Sequence, residues 1–130
     1  MTVYVCLDDR NGMRFNNRRQ SRDRAVLEDI RAAIPDALTV DACSEALIRE
    51  AGIPYMLADE EIPENAHFFL EARNASHVVS KASALVIYRW NRHYPADVRF
   101  DADLSGFTLD SCTEFPGKSH DRITKEVYLR

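Results

Sequence analysis

Two short runs of the chain are apolar almost without interruption: Thr2 to Leu7 (TVYVCL) and Ala84 to Trp90 (ALVIYRW). Both are rich in β-branched and aromatic residues and read as buried strands. A strand that is apolar on both faces has to be covered on both, which places it in a mostly parallel sheet with helices packed against it. The first run stops at Asp8, Asp9, Asn11 and Gly12. Asn11-Gly12 is a strong turn dipeptide because both residues tolerate positive φ.

The segments between these runs supply helices and further strands. From Ser21 to about Ile34, the positions Val26, Leu27, Ile30, Ala33 and Ile34 recur at helical spacing. Ser21 is placed to cap the free N–H groups, Asp23 falls in the first turn, and Pro35 ends the helix. Ala37 to Val40 reads as a second strand, and Asp41 or Ser44 can cap a helix that carries Leu47, Ile48 and Ala51 and ends at Gly52. Ile53 to Asn65, with two prolines and an acidic cluster, reads as a surface connection. Ala66 to Glu71 is a short strand, Asn74 to Ser83 a short helix, and Asn91 to Asp97 a polar loop. Beyond Val98 the pattern changes to alternation, with Phe107, Leu109 and Ser111 and then Ile123, Lys125, Val127 and Leu129 on one face, as half-buried antiparallel strands require. The expected fold is α/β, a two- or three-layer domain over residues 1–130. Its sheet is mixed, with parallel N-terminal strands and an antiparallel C-terminal hairpin.

Length and composition set outer bounds. A chain of 130 residues can bury roughly two-thirds of the surface it exposes when unfolded. Cys6, Cys43 and Cys112 are odd in number and far apart, which argues against a disulfide framework or a zinc knuckle and for a reducing compartment. No apolar run is long enough to span a membrane and the N-terminus lacks a signal-peptide layout, so a cytoplasmic protein is expected. The net charge of −4 argues against a nucleic-acid partner. The charge is uneven: Arg14, Arg18, Arg19, Arg22 and Arg24 cluster, while Asp59, Glu60, Glu61 and Glu64 form an acidic stretch. A local basic patch on an acidic chain suits a small anionic ligand.

Candidate site residues fall in two segments. Asn16 to Ser21 holds Arg18, Arg19, Gln20 and Ser21, whose guanidinium forks and polar groups suit phosphate or carboxylate at a helix start. Asp8 and Asn11 lie at the end of the preceding strand. Trp90, Asn91, Arg92, His93 and Tyr94 follow the central strand. Ligands of open α/β sheets gather at the carboxyl ends of parallel strands, so the two segments could share one edge. Asp23 and His93 are the candidate acid–base groups. Ser119-His120-Asp121 has the residue types of a triad, but sequence neighbours rarely converge as a triad does. Cys6 reads as core, and no metal site is expected.

The segments CLDDRNGMRFNNRRQSRD, VIYRWNRHYPADVRF and SHDRITKEVYLR resemble a group of small bacterial proteins of similar length, some labelled ribonuclease Z. That activity needs a clustered two-zinc ligand set, whereas His67, His77, His93 and His120 stand apart. The order and ends of the chain are also similar to dihydrofolate reductase. Val3 to Asp8, Gly12-Met13 and Asp23 match the family's opening strand, its glycine turn and its catalytic carboxylate; Asp97, Phe100, Phe107, Tyr128 and Arg130 match its tail. The family's Pro-Trp is replaced by Arg18-Arg19, and Tyr88-Arg89-Trp90 stands where its Gly-Gly lets the backbone approach the dinucleotide. Asp41-Ala42-Cys43-Ser44 stands where it has a phosphate-binding turn. The resemblance therefore implies a shortened reductase-like domain that has lost the cofactor half of the site. No cofactor is expected, with a nicotinamide dinucleotide held open. The expected function is a binding or regulatory protein for a small anionic ligand, nucleotide-like or pterin-like. The alternatives are a divergent reductase, a phosphoryl-transfer or nuclease enzyme, and a protein-interaction module such as an inhibitor or immunity protein with a basic protein partner.

Overall fold

A computed structural model describes residues 1–130. The elements in chain order are β1 (Thr2–Leu7), β2 (Gly12–Phe15), β3 (Arg18–Arg19), α1 (Arg24–Ala33), β4 (Leu38–Val40), α2 (Glu45–Glu50), β5 (Tyr55–Leu57), β6 (His67–Leu70), α3 (Ala75–Ser80), β7 (Ala84–Arg89), β8 (Val98–Arg99), β9 (Thr108–Phe115) and β10 (Ile123–Leu129). Seven strands form one sheet in the order β5-β4-β6-β1-β7-β10-β9. The first five run parallel, and β10 and β9 join antiparallel. This is the mixed sheet expected from the change of periodicity along the chain.

The apolar runs occupy the centre because β1 lies between β6 and β7, and its side chains point alternately to two cores. Tyr4, Phe69, Val86 and Tyr88 face α1 and α2 together with Val26, Leu27, Ile30 and Ile48. Val3, Val5, Phe68, Leu70, Leu85 and Ile87 face α3 with Val78 and Val79. Each layer of helix thus covers a face that the sequence leaves apolar, as a doubly covered parallel sheet demands.

Three local readings change. Asp23, not Ser21, is the N-cap of α1: its backbone is extended and its carboxylate accepts from Ala25 N. The segment after Gly12 is not an open loop. Asn16 and Asn17 both take positive φ (52° and 60°) and close a tight hairpin of β2 and β3, which pairs further with β8 in a separate three-stranded sheet. Tyr55–Leu57, inside the expected connection, adds the edge strand β5. Gly52 ends the second helical segment at φ 71°, in the left-handed region expected of it.

Candidate functional site

The carboxyl ends of β1, β6 and β7 open on the same side of the sheet, and α1 begins above them. Between them lies a narrow cleft lined by Cys6, Met13, Leu27, Glu71 and Trp90 together with the segment Arg19 to Asp23. It has room for little more than a water molecule in this conformation. A wider, open groove leads outward from it, lined by Arg14, Asn17, Arg18, Arg19, Ser21, Arg22, Cys43 and Ser119. The apolar inner cleft and the arginine-lined outer groove share Arg19, Ser21 and Arg22.

The two candidate segments do meet. Tyr94 OH lies 3.3 Å from Ser21 Oγ, and Gln20 Nε2 donates to Pro95 O at 3.1 Å. Asp8 ties them together from below. It is fully buried and accepts from Arg10 N and Gly12 N at 2.8 and 2.7 Å, from Gln20 Nε2 at 3.0 Å, and weakly from Tyr94 N. Burial acts to raise its pKa, but these hydrogen bonds outweigh it and hold the carboxyl below the usual range. A Cβ on Gly12 would come within 2.6 Å of Asp8 Oδ2, so glycine is required there by close approach. Asp8 is therefore a buried organiser of the turn, not the exposed ligand contact expected from its place at a strand end.

Asp23 is held more tightly still. Its carboxylate accepts from Ala25 N, from the consecutive backbone N–H groups of Lys118, Ser119 and His120, and from His120 Nδ1, all at 2.9 to 3.1 Å. Burial would raise its pKa, yet the donors together bring it down to about 2. Gly117 lets the 117–120 turn approach, since a Cβ there would meet His120 O at 2.4 Å and Asp23 Oδ2 at 2.6 Å. His120 is buried, stacks on Trp90 with ring centroids 4.6 Å apart, and presents Nε2 to Tyr94 OH at 2.9 Å and Ser21 Oγ at 3.2 Å.

The remaining candidates separate. Arg19 makes a two-pronged bond to Glu71 at 2.9 Å through Nε and Nη2, and Ser44 Oγ adds a 2.6 Å bond to the same carboxylate. Arg19 is thus a latch for the hairpin. Arg18 is exposed and lines the groove. Asn11 and Asn91 both take positive φ and accept from Arg89 or donate to Arg122 O and Thr124, which makes them turn residues outside the cleft. Arg92 and His93 are exposed and do not line the cleft, so His93 is not brought to Asp23. Trp90 is buried as the cleft wall. Cys6 is half-buried beside it, with burial pushing its thiol pKa up. In the sequence His120 stands only within the Ser119-His120-Asp121 string set aside above, and Glu71 is not among the candidates. Gly117, just before the Ser119-His120-Asp121 string, was the available signal for the first; nothing local marks the second.

No family model matches the chain, and no curated protein does. Among solved structures, it is similar to a dihydrofolate reductase from Enterococcus faecalis, solved in complex with NADP(H) and RAB-propyl. The TM-score is 0.70 at 11% sequence identity, covering 99% of this chain and 95% of that one. The chain therefore has the fold of dihydrofolate reductase, as its strand order and ends lead one to expect. At the places the resemblance ties to a dinucleotide stand a large aromatic and a charged side chain. Trp90 follows β7 with its indole buried against His120, and Asp41 is engaged by Arg73 through bonds of 2.7 to 3.1 Å. No helix of the chain is long and apolar enough to cross a membrane.

Proposed function

We propose that the chain binds a small anionic ligand, its apolar or aromatic part in the cleft under Trp90 and its negative charge among Arg14, Arg18 and Arg22. The observation that carries this reading is the junction of an apolar cleft with an arginine-lined groove at the carboxyl ends of β1, β6 and β7. Ligand sites of open α/β sheets form at such ends. Arg18 forms no ion pair, and Arg22 reaches only the exposed Glu50 at 3.8 Å, so both guanidinium groups stay available to an anion. The narrowness of the cleft requires the β2–β3 hairpin to move when ligand enters, and the Arg19–Glu71 latch is the contact that would open.

A divergent reductase is the less supported reading. Its proton-transfer role would fall to Asp23, whose oxygens already accept five donors and whose pKa is held to about 2. A carboxyl poised near neutral pH is what such a role calls for. Phosphoryl transfer through His93 has no geometric support, since that ring is exposed outside the cleft. A protein-partner reading draws on the exposed Met56 and Leu57 of edge strand β5, next to the acidic stretch that starts at Asp59.

The test uses Trp90, the one tryptophan of the chain, as a fluorescence reporter alongside thermal shift. A panel pairs nucleoside monophosphates, folates and aryl carboxylates with neutral analogues. At 100 times its Kd a ligand adds about 2.7 kcal/mol of stability. The expected result is a saturable signal for an anionic member, weakened about tenfold or more in Arg18→Ala/Arg22→Ala and reduced by salt. Equal binding by that double variant, or no shift from any anion, overturns the reading.

A further inference from the structure

One set of side chains in the cleft is arranged for a task that binding alone does not require. Asp23 Oδ2 lies 2.9 Å from His120 Nδ1, and His120 Nε2 lies 3.2 Å from Ser21 Oγ. An ionised carboxylate can only accept, so Nδ1 carries a proton, and a ring protonated there alone offers its Nε2 lone pair to the hydroxyl. The orienting groups are fixed: Asp23 by three consecutive backbone N–H groups, and the imidazole by Trp90, stacked 17° from coplanar. Asp23 and His120 are buried, whereas Ser21 is half-buried and opens into the groove lined by Arg14, Arg18 and Arg22.

We propose that Ser21 is the nucleophile of an acyl-transfer site, with His120 as its base and Asp23 as the group that orients the base, acting on small esters that carry a negative charge. The nucleophile–base and base–orienter separations are those such a constellation needs, although the three residues come from positions 21, 120 and 23 and share no sequence motif. In the acylation step, Ser21 Oγ bonds to the ester carbonyl carbon as its proton passes to His120 Nε2. The ester C–O bond then breaks and the departing alcohol takes that proton. Water reverses the sequence: it gives a proton to Nε2, its oxygen bonds to the acyl carbon, and the acid leaves as Ser21 Oγ regains the proton. The arginines of the groove supply positive charge for the oxyanion formed in each step.

Tyr94 OH is 2.9 Å from the same Nε2 and 3.3 Å from Ser21 Oγ. It competes with Ser21 for the one lone pair, and reaction proceeds from the arrangement in which Ser21 donates to Nε2 and Tyr94 donates to Ser21. The substrate's charge rests on the binding reading above; the reactivity of Ser21 does not.

The experiment compares 4-nitrophenyl acetate with the 4-nitrophenyl half-ester of succinate, reading nitrophenol release and the acyl adduct by peptide mass. The expected result is an adduct on Ser21, formed about tenfold faster from the half-ester. The adduct is absent and the rate about 100-fold lower in Ser21→Ala. Thermal melting of the variant verifies that it is folded. No adduct on the folded protein, or one on Ser119 or Lys118 that persists in Ser21→Ala, overturns the proposal even where anion binding is intact. A Ser21 adduct formed equally from both esters upholds the nucleophile and overturns the anionic substrate class.

Discussion

At the scale of single residues, the most consequential group is Asp23. Five donors converge on a carboxylate that has no exposure of its own. Its folded pKa, about 2 against an ordinary 3.8, is depressed, so its contribution to stability is present above the unfolded value and is lost as pH falls through the folded one. That difference is on the order of 2 kcal/mol. Asp23→Asn leaves backbone donors poorly matched and is expected to cost about 2 to 4 kcal/mol near neutral pH. Urea unfolding at a series of pH values checks both statements: the gap between parent and variant should be constant above about pH 5 and shrink toward pH 2. A gap that stays level down to pH 2.5 would show that Asp23 is not the group being titrated. Asp8, also depressed in pKa, acts in the same sense.

At the scale of elements, the β2–β3 hairpin is the part of the molecule whose order depends on a few contacts. Two asparagines at positive φ close it, and the Arg19–Glu71 pair, supported by Ser44, fastens it over the cleft. A charge-assisted two-pronged bond of this kind is worth more than a neutral one, and Glu71 is nearly buried. Glu71→Gln is therefore expected to speed amide exchange in residues 14–20 by about tenfold, while exchange in β1 changes little. Hydrogen exchange measured by mass spectrometry resolves the two segments. Equal acceleration in β1 would mean that Glu71 supports the whole sheet and not the hairpin. This element was only half legible in the sequence. Asn11-Gly12 announces a turn through its backbone chemistry, but Met13-Arg14-Phe15 is too short an alternation, and Arg18-Arg19 too polar, to mark the strands on either side of Asn16-Asn17.

At the scale of the whole molecule, the chain has the fold of dihydrofolate reductase, with a buried tryptophan at the end of β7. Trp90 packs on His120 where the resemblance calls for two glycines, so a large aromatic side chain occupies space that glycine would leave open. A nicotinamide dinucleotide is accordingly expected to give no saturable change in Trp90 fluorescence or melting temperature up to about 1 mM, the range in which even a contact worth about 4 kcal/mol would register. Tight binding by NADPH would require Trp90 to leave its stack, and a red-shifted emission would report that.

The sequence by itself determined the layers. Apolar runs, helical spacing and terminal alternation are local periodicities, and each states which faces of an element must be covered. They were enough for the mixed sheet. What only the tertiary structure decided is how the polar groups are used. Asp23 and His120 are 97 residues apart, Arg19 and Glu71 are 52 apart, and the partner of a buried polar group leaves no periodic trace in either segment. Hence Asp8 reads as a ligand contact when it is a buried acceptor, and His120 reads as one member of an adjacent string when it is the hinge between Asp23 and Ser21. Burial turns these residues from options into requirements, because a buried carboxylate must find donors wherever the chain can bring them.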